Sequence, residues 1–222
     1  MSGALAGLVI LVIGDSHAMH MMPNLNPLLA EKGAIVHSYS MCGATPGDWI
    51  YPSSIATWGV CGRAERHEKG PVLTEAKRNE PTYSLAKLIA EHHPNLIIVQ
   101  GGDTIEGFGP TAKIDRPWAL DQIHALTGKI AAANIACDWV GPTWEQNKPP
   151  LSRNEATVKE MVQFLSQSVA PCKYIDSTTY VRPGEWQTTD GLHLLPDGYR
   201  QWSTDIANTV AQLNSQKTLS SR

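Results

Sequence analysis

Short apolar runs alternate with helix-like segments along most of the chain, and this alternation restricts the fold more than any other feature. The pattern predicts strands at 8–13, 34–39, 96–100, 136–140 and 173–175. It predicts helices at 24–32, 83–92, 118–133, 154–169 and 196–213, and a long loop from 41 to about 69. Strands that alternate with helices form βαβ units with a parallel sheet. We therefore predict an α/β protein with helices on both faces of a doubly wound, five-stranded parallel sheet.

The length and composition of the chain fit one folded domain. The 222 residues suffice for a sizeable core, and 42% hydrophobic with 18% charged residues argues against disorder. We predict a single domain over 1–214 and a flexible polar tail over 215–222. The formal net charge is −3, and no run of lysines or arginines occurs, which argues against nucleic acid as a partner. A monomer is the default expectation.

The longest apolar run, 4–13, is interpreted as a buried strand. It is shorter than the roughly 20 residues that cross a bilayer, so no membrane span is predicted. No basic residues precede it and no cleavage site follows it, so it does not resemble a signal peptide. Whether a leader was removed before it stays open.

Four cysteines are present, and their spacing matches no zinc pattern. Cys137 and Cys172 each begin a predicted strand, and those strands should be neighbours. Cys42 and Cys61 bracket a loop whose closure would stabilise the fold by roughly 3 kcal/mol. Two disulfides and an extracytoplasmic location (periplasmic, secreted or virion-borne) are one interpretation. The other is four buried thiols in a cytosolic enzyme.

Glycine, polar and aromatic residues follow the predicted strands at their carboxyl ends. They are Ser16, Gly43, Gly102, Asp103, Trp144, Asp190 and His193. Ligands of doubly wound sheets bind beyond these ends of the strands. We therefore expect the functional site at this rim.

Ser16 lies where the first predicted strand turns into a helix, within Gly14-Asp15-Ser16-His17. A serine hydroxyl is a weak nucleophile and needs an adjacent base. The best candidate is His193, and Asp190, three residues before it, can accept the proton of the other ring nitrogen. A serine after a strand is more often only a helix cap, and the Asp-x-x-His pattern is common. The two together at one rim are much more specific.

These segments resemble the conserved blocks of the SGNH (GDSL-like) hydrolase family, in the family's order, from residue 14 to about 202. The matching segments are Gly14-Asp15-Ser16, Gly43, Gly101-Gly102-Asp103 and Asp190-Gly191-Leu192-His193. The resemblance implies a flavodoxin-like, three-layer α/β/α fold and ester chemistry without a metal or other cofactor. It implies Ser16 as nucleophile, His193 as base and Asp190 as its orienting carboxylate, with the N–H groups of Ser16 and Gly43 lining an oxyanion hole. His17 after the serine resembles members that handle O-acetyl groups of bacterial polysaccharides, including transferases.

One position departs from the family pattern. The family's third block carries an asparagine whose amide donates to the oxyanion, and Asp103 stands at the matching position. Losing such a donor costs about 3–4 kcal/mol, and protonating an aspartate at pH 7 costs about 4 kcal/mol. Asp103 can therefore serve in the oxyanion hole only if burial raises its pKa. Otherwise Thr104, Gln100 or a substrate group supplies the third donor. If the assignment is right, Asp103→Asn raises esterase activity near neutral pH.

Four residues near the rim are predicted to bind substrate. Trp144 and Trp186 lie in loops where they could stack on sugar rings, although ordinary packing is the alternative. Asp15 and His17 flank Ser16 in sequence.

The remaining histidines give no metal pattern. His17 and His20 lack a third ligand nearby, so local polar contacts are the expectation and no metal is predicted. His92 and His93 are interpreted as surface residues at a helix C-terminus.

We interpret the chain as a serine esterase that releases O-acyl groups, O-acetyl above all, from a small ester or an acetylated glycan. An acyltransferase would use the same residues, with a sugar hydroxyl in place of water. A third hypothesis, motivated by Asp103, is a carbohydrate-binding module on a catalytically weak enzyme fold.

Overall fold

The computed structural model describes residues 3–51, 62–75, 83–107, 109, 111–146, 148, 150–151 and 153–215. Cys61 and residues 216–222 of the predicted tail lie outside the described residues. The strands are β1 Val9–Gly14, β2 Ile35–Met41, β3 Arg63–His67, β4 Leu73–Glu75, β5 Leu96–Gln100, β6 Ala136–Val140 and β7 Lys173–Ile175. The α-helices are α1 Ser16–Glu31, α2 Leu85–His92, α3 Arg116–Ala132, α4 Glu155–Ser168 and α5 Pro196–Ser215.

The strands form one sheet in the order β4-β3-β2-β1-β5-β6-β7. β2, β1, β5, β6 and β7 are parallel, and their order is the flavodoxin-like one. The predicted fold class is therefore confirmed. β3 and β4 add an antiparallel edge beside β2.

The edge strand β3 corrects the sequence-based prediction of an uninterrupted loop from 41 to about 69. Its sequence, Arg63 to His67, contains four charged or imidazole side chains and only one apolar residue. A strand near a sheet edge buries little surface, so it needs no apolar alternation by which it could be recognised.

Helices cover both faces of the sheet, because its strands are apolar on both sides. Alternate residues of β1 enter different cores: Leu11 and Ile13 pack with α2, α3 and α4, whereas Ile10 and Val12 pack with α1 and α5. A parallel sheet buried on both faces has this near-continuous apolar strand pattern. The two cores fix the carboxyl ends of the strands, where the candidate site lies.

Helix α1 begins at Ser16, eight residues earlier than predicted. Pro23 and Pro27 lie inside it, at positions where proline removes a backbone donor and weakens a helix. The side chain of Asp15 caps the helix by accepting a hydrogen bond from the N–H of His17 at 2.9 Å. Packing of α1 onto α5 outweighs the cost of the two prolines.

The Cys137–Cys172 disulfide joins neighbouring strands, as predicted, with the two Cα atoms 4.5 Å apart. Its sequence separation of 35 residues corresponds to a stabilisation of about 4 kcal/mol through loop closure. Cys61, the predicted partner of Cys42, lies outside the described residues. Among the described helices, none has the length and apolar character needed to span a bilayer.

Candidate active site

Ser16 is held at the junction of β1 and α1. A Cβ atom on Gly14 would lie 2.6 Å from the carbonyl oxygen of Gln100, so only glycine fits where β1 meets β5. Ser16 is the first residue of α1, and its backbone N–H therefore has no partner within the helix. Its N–H and hydroxyl both lie at the helix end that favours negative charge.

Ser16, His193 and Asp190 form a continuous hydrogen-bonded chain. Ser16 Oγ lies 2.9 Å from His193 Nε2, and His193 Nδ1 lies 2.7 Å from Asp190 Oδ2. Because a carboxylate only accepts, the Nδ1–H group donates to Asp190, which leaves Nε2 to accept from the serine hydroxyl. The structure thus brings together, from opposite ends of the chain, the three residues singled out by the sequence.

Asp190 is itself held by backbone groups. Its Oδ1 atom accepts hydrogen bonds from the N–H groups of Leu192 at 3.1 Å and His193 at 2.8 Å. Partial burial would raise the pKa of Asp190, but these bonds and the imidazole lower it. Asp190 is therefore ionised over the whole neutral range.

The loop that carries His193 is closed at its base. Thr188 and Leu194 form an isolated antiparallel bridge, and the N–H of Thr189 donates to the carbonyl of His193 at 2.8 Å. These contacts pin the turn that contains Asp190 and His193, so the imidazole is positioned without a strand or helix at that point.

Gly43 lies in the turn after β2, is exposed, and has a φ of 75° that favours glycine. The hydroxyl of Thr104 donates to the carbonyl of neighbouring Ala44 at 2.8 Å. This bond ties the Gly43 turn to the segment after β5. It also occupies the only proton of Thr104, which makes that residue a poor third oxyanion donor. The buried amide of Gln100, the other alternative, makes no hydrogen bond within the part of the chain that the structure describes.

Asp103 does not meet the condition under which it could donate to an oxyanion. It is buried, and its Oδ1 atom forms a short ion pair with Arg153, while Oδ2 lies 3.4 Å from His17 Nε2. Burial alone would raise the pKa of Asp103, but Arg153 and His17 lower it below its usual value. Asp103 is thus an ionised acceptor, and the hypothesis of a protonated donor at this position is wrong.

Arg153 is a buried residue beside the site that the sequence analysis missed. Its guanidinium, 1% exposed, contacts Glu145 at 2.6 Å, Glu106 at 2.9 Å and Asp103. We call these four residues the Arg153 cluster. Burial raises the pKa of Glu106 and of Glu145 to about 7, despite the opposing effect of the guanidinium. No sequence motif links a loop arginine to three acids that lie 8 to 50 residues before it.

Asp15 and His17 lie beneath the site rather than on its surface. The two are 1% and 2% exposed, so the prediction that their side chains contact substrate is wrong. Burial lowers the pKa of His17 to about 4, which makes its ring neutral. Its Nδ1 atom lies 2.9 Å from the hydroxyl of Tyr199, and its ring centroid lies 5.3 Å from that of His193. His17 therefore supports His193 from below.

His20 is exposed beside the site. The sequence analysis had predicted only local polar contacts for this residue. Its ring stacks on Tyr199 with centroids 5.0 Å apart and lies 5.7 Å from His193. The signal in the sequence was its position one turn after Ser16 and His17 on α1.

The two predicted aromatic contacts are half-buried. Trp144 donates its Nε1–H to the carbonyl of Thr178 at 2.9 Å, and Trp186 packs against the core between the sheet and α5. Each has a packing role, and contact with substrate stays a prediction for both.

A cleft of about 1160 Å³ runs beside the loop that carries His193. It is lined mainly by polar side chains, including Gln146, Lys148, Asn154, Gln187, Thr188 and Thr189. Thr189, which directly precedes Asp190, lines the cleft, whereas Ser16, Asp190 and His193 do not. Its polar side chains offer hydrogen-bond partners to a hydroxyl-rich ligand, beside apolar surface from residues such as Pro183 and Leu195.

The strand order and the Ser–His–Asp arrangement beyond the strand ends define the class: this is the architecture of the SGNH hydrolases. Solved structures with the same fold include an acetyl xylan esterase, AlAXEase, at 13% identity and a TM-score of 0.55, with 91% of this chain and 100% of that chain covered. The esterase EstA from Pseudoalteromonas sp. matches at 14% identity and a TM-score of 0.53, with 96% and 99% covered. No protein-family model matches the chain.

A curated relative is much nearer in sequence. Protein BcsX of Komagataeibacter xylinus is 35% identical over 221 residues, which cover 98% of this chain and 82% of BcsX. The chain has the fold of the SGNH (GDSL-like) hydrolases and belongs to the same family as BcsX.

Proposed function

We propose that this protein is a serine esterase that removes short O-acyl groups, O-acetyl in the first place, from a carbohydrate. The observation that carries the proposal is the hydrogen-bonded chain from Ser16 Oγ through His193 to Asp190, with links of 2.9 and 2.7 Å. Such a chain gives an alcohol an adjacent base and gives that base an orienting carboxylate.

In the first half-reaction Ser16 Oγ attacks the ester carbonyl carbon, and its proton passes to His193 Nε2. The bond between the carbonyl carbon and the sugar oxygen breaks, and the sugar oxygen takes the proton from His193. A water molecule then attacks the acyl-serine and gives a proton to His193. Collapse of this intermediate releases the carboxylic acid and returns the proton to Ser16 Oγ. Asp190 stabilises the imidazolium in both halves.

We propose that backbone N–H groups stabilise the negative oxygen formed in each step. Ser16 contributes its N–H from the first turn of α1, and Gly43 contributes from the turn after β2. Asp103 is excluded as a third donor because it is ionised, and Gln100 is the remaining side-chain candidate.

The carbohydrate assignment is supported by the polar side chains that line the cleft and by the acetyl xylan esterase with the same fold. Trp144 and Trp186 offer half-buried aromatic surfaces to a sugar, and exposed His20 lies beside His193. The Cys137–Cys172 disulfide supports an extracytoplasmic location, because disulfides persist in oxidising compartments.

The test is release of free acetate from p-nitrophenyl acetate and from acetylated oligosaccharides. We expect Ser16→Ala to lower kcat by about 10⁶-fold, the typical effect of removing a triad serine. Ser166→Ala, on the exposed face of α4, is the matched control and should retain wild-type kcat.

Hydrolysis that persists unchanged in Ser16→Ala would contradict the proposal. Acetyl transfer to an added oligosaccharide in place of acetate release would identify the protein as an acyltransferase with the same nucleophile.

A further inference from the structure

Three histidines from distant parts of the sequence lie close together where β2, β3 and the end of α2 meet. His37 lies on β2 and is paired in register with His67 on β3, and His92 is the last residue of α2. His37 is level with Leu11 of β1, whereas Ser16 lies beyond the end of that strand. The cluster is therefore separate from the candidate active site. The 8% exposure of the His92 side chain also corrects the prediction that this residue lies at the surface.

The imidazole nitrogens are close enough to share one ion. One nitrogen from each ring lies within 4.8 Å of the other two, and the Nδ1 atoms of His37 and His67 are 3.0 Å apart. Zinc–nitrogen bonds of about 2.0–2.1 Å at tetrahedral angles place the nitrogens about 3.4 Å apart. The 3.0 Å distance is close to this value and no distance among the three nitrogens exceeds 4.8 Å, so the ion would require the rings, of which His37 and His92 are stacked, to reorient around it.

Two of the three rings also contact polar groups of the kind that orient metal-bound histidines. The hydroxyl of Tyr39 lies 2.7 Å from His92 Nε2, and a carboxylate oxygen of Glu65 lies 3.7 Å from His67 Nε2. Hydrogen-bonding groups of this kind fix the ring orientation and raise the basicity of metal ligands.

The surroundings of the cluster favour a cation. The carboxylates of Glu65, Glu68 and Glu91 lie near the rings, and the Glu91 carboxylate is 3.8 Å from His92 Nε2. His67 is 39% exposed, so solvent reaches the cluster and a water molecule can complete a fourth position.

We propose that His37, His67 and His92 bind one divalent transition-metal ion, with Zn²⁺ as the expected ion. Imidazole nitrogen is a preferred ligand of zinc, and no hydrolytic step proposed above uses this site. A metal here would fasten β3 and α2 to β2, so its expected role is to stabilise this edge of the sheet.

The experiment is titration of metal-free protein with ZnCl₂ by isothermal calorimetry, together with thermal unfolding. We expect one zinc ion per chain. At a free zinc concentration 100 times Kd, Tm should rise by about 5–10 °C. His67→Gln and His92→Gln should each weaken zinc binding by at least about tenfold. His124→Gln, an exposed histidine on α3, is the matched control and should bind as the wild type does.

Absence of zinc binding, or equal binding by the wild type and His67→Gln, would overturn the proposal. The His67 side chain is 39% exposed against 8% for His92, so its variant keeps the test valid if His92→Gln does not fold. Loss of binding in His20→Gln with full binding in His67→Gln would place the ion at the candidate active site and overturn the proposal too.

Discussion

Asp190 and Asp103 are two carboxylates at the same rim, each paired with a basic side chain. The Asp190 side chain is 30% exposed and bonds an imidazole, whereas the Asp103 side chain is 3% exposed and bonds a guanidinium. Imidazole exchanges its proton near neutral pH, and guanidinium does not. The comparison indicates that the partner decides the role that each carboxylate can have: we propose that Asp190 serves proton transfer at Ser16, whereas Asp103 forms an ion pair within the Arg153 cluster.

The sharpest way to break this comparison is Asp190→Asn. The amide would stabilise the wrong tautomer of His193, so we expect kcat for p-nitrophenyl acetate to fall by about 10⁴-fold. Partial exposure of Asp190 means that Tm should change little. Steady-state kinetics and thermal unfolding of the same samples measure both effects.

Asp103→Asn makes the same chemical change at the buried carboxylate and is the matched control. It removes a buried negative charge that contacts Arg153 and His17, so Tm should fall. The fall in kcat should be far smaller than in Asp190→Asn. The increase in activity predicted from sequence is no longer expected, since Asp103 is bound to Arg153. A 10⁴-fold loss in Asp103→Asn would remove the distinction between the two residues.

Arg153→Met tests the structural role that the comparison gives to Asp103 and the Arg153 cluster. It leaves Asp103, Glu106 and Glu145 buried without their shared cation, so we expect the free energy of unfolding to fall by about 3–5 kcal/mol. Urea denaturation measures this change. Arg200→Met removes an exposed arginine paired with Asp197 and should cost less than about 1 kcal/mol. Equal effects of the two variants would contradict the structural role of the cluster.

A pH dependence sharpens the comparison further. Glu106 and Glu145 have pKa values of about 7, above the usual 4.5, so between these values they bind protons in the folded state only. Their contribution to stability is therefore full below about pH 4.5 and is lost as pH rises to about 7. Asp103 and Asp190 have lowered pKa values, so their contribution is lost only in more acidic solution.

Thermal unfolding from pH 5 to pH 7.5 measures the slope, and Glu106→Gln should flatten it. Glu155→Gln, an exposed glutamate on α4, should leave the slope unchanged. A slope of the opposite sign in the wild type, or no effect of Glu106→Gln, would mean that the glutamates are ionised throughout.

The sequence was sufficient for features that are local or that recur as motifs. Apolar runs located β5 and β6 at their observed bounds, because buried parallel strands are continuously hydrophobic. The motifs around Ser16 and His193 indicated their proximity, because both follow strands of the same sheet.

The sequence did not reveal side-chain contacts that depend on long-range packing. The partners of Asp103 could not be predicted, because Arg153 lies 50 residues away in a loop without a motif. The neighbours of His92 were missed for the same reason: His37 and His67 come together only when β2 pairs with the polar strand β3.

The pinned base of the loop that carries His193 has a consequence for altering specificity. The Thr188–Leu194 bridge fixes the turn, while Pro183, Gly184 and Gln187 line the cleft just outside it. Under the proposed function, residues 183–187 would contribute to recognition, and the adjacent turn that the bridge closes would carry proton transfer. Exchange of residues 183–187 between relatives would therefore change which acceptors or glycans the cleft admits. The position of His193 relative to Ser16 would stay the same.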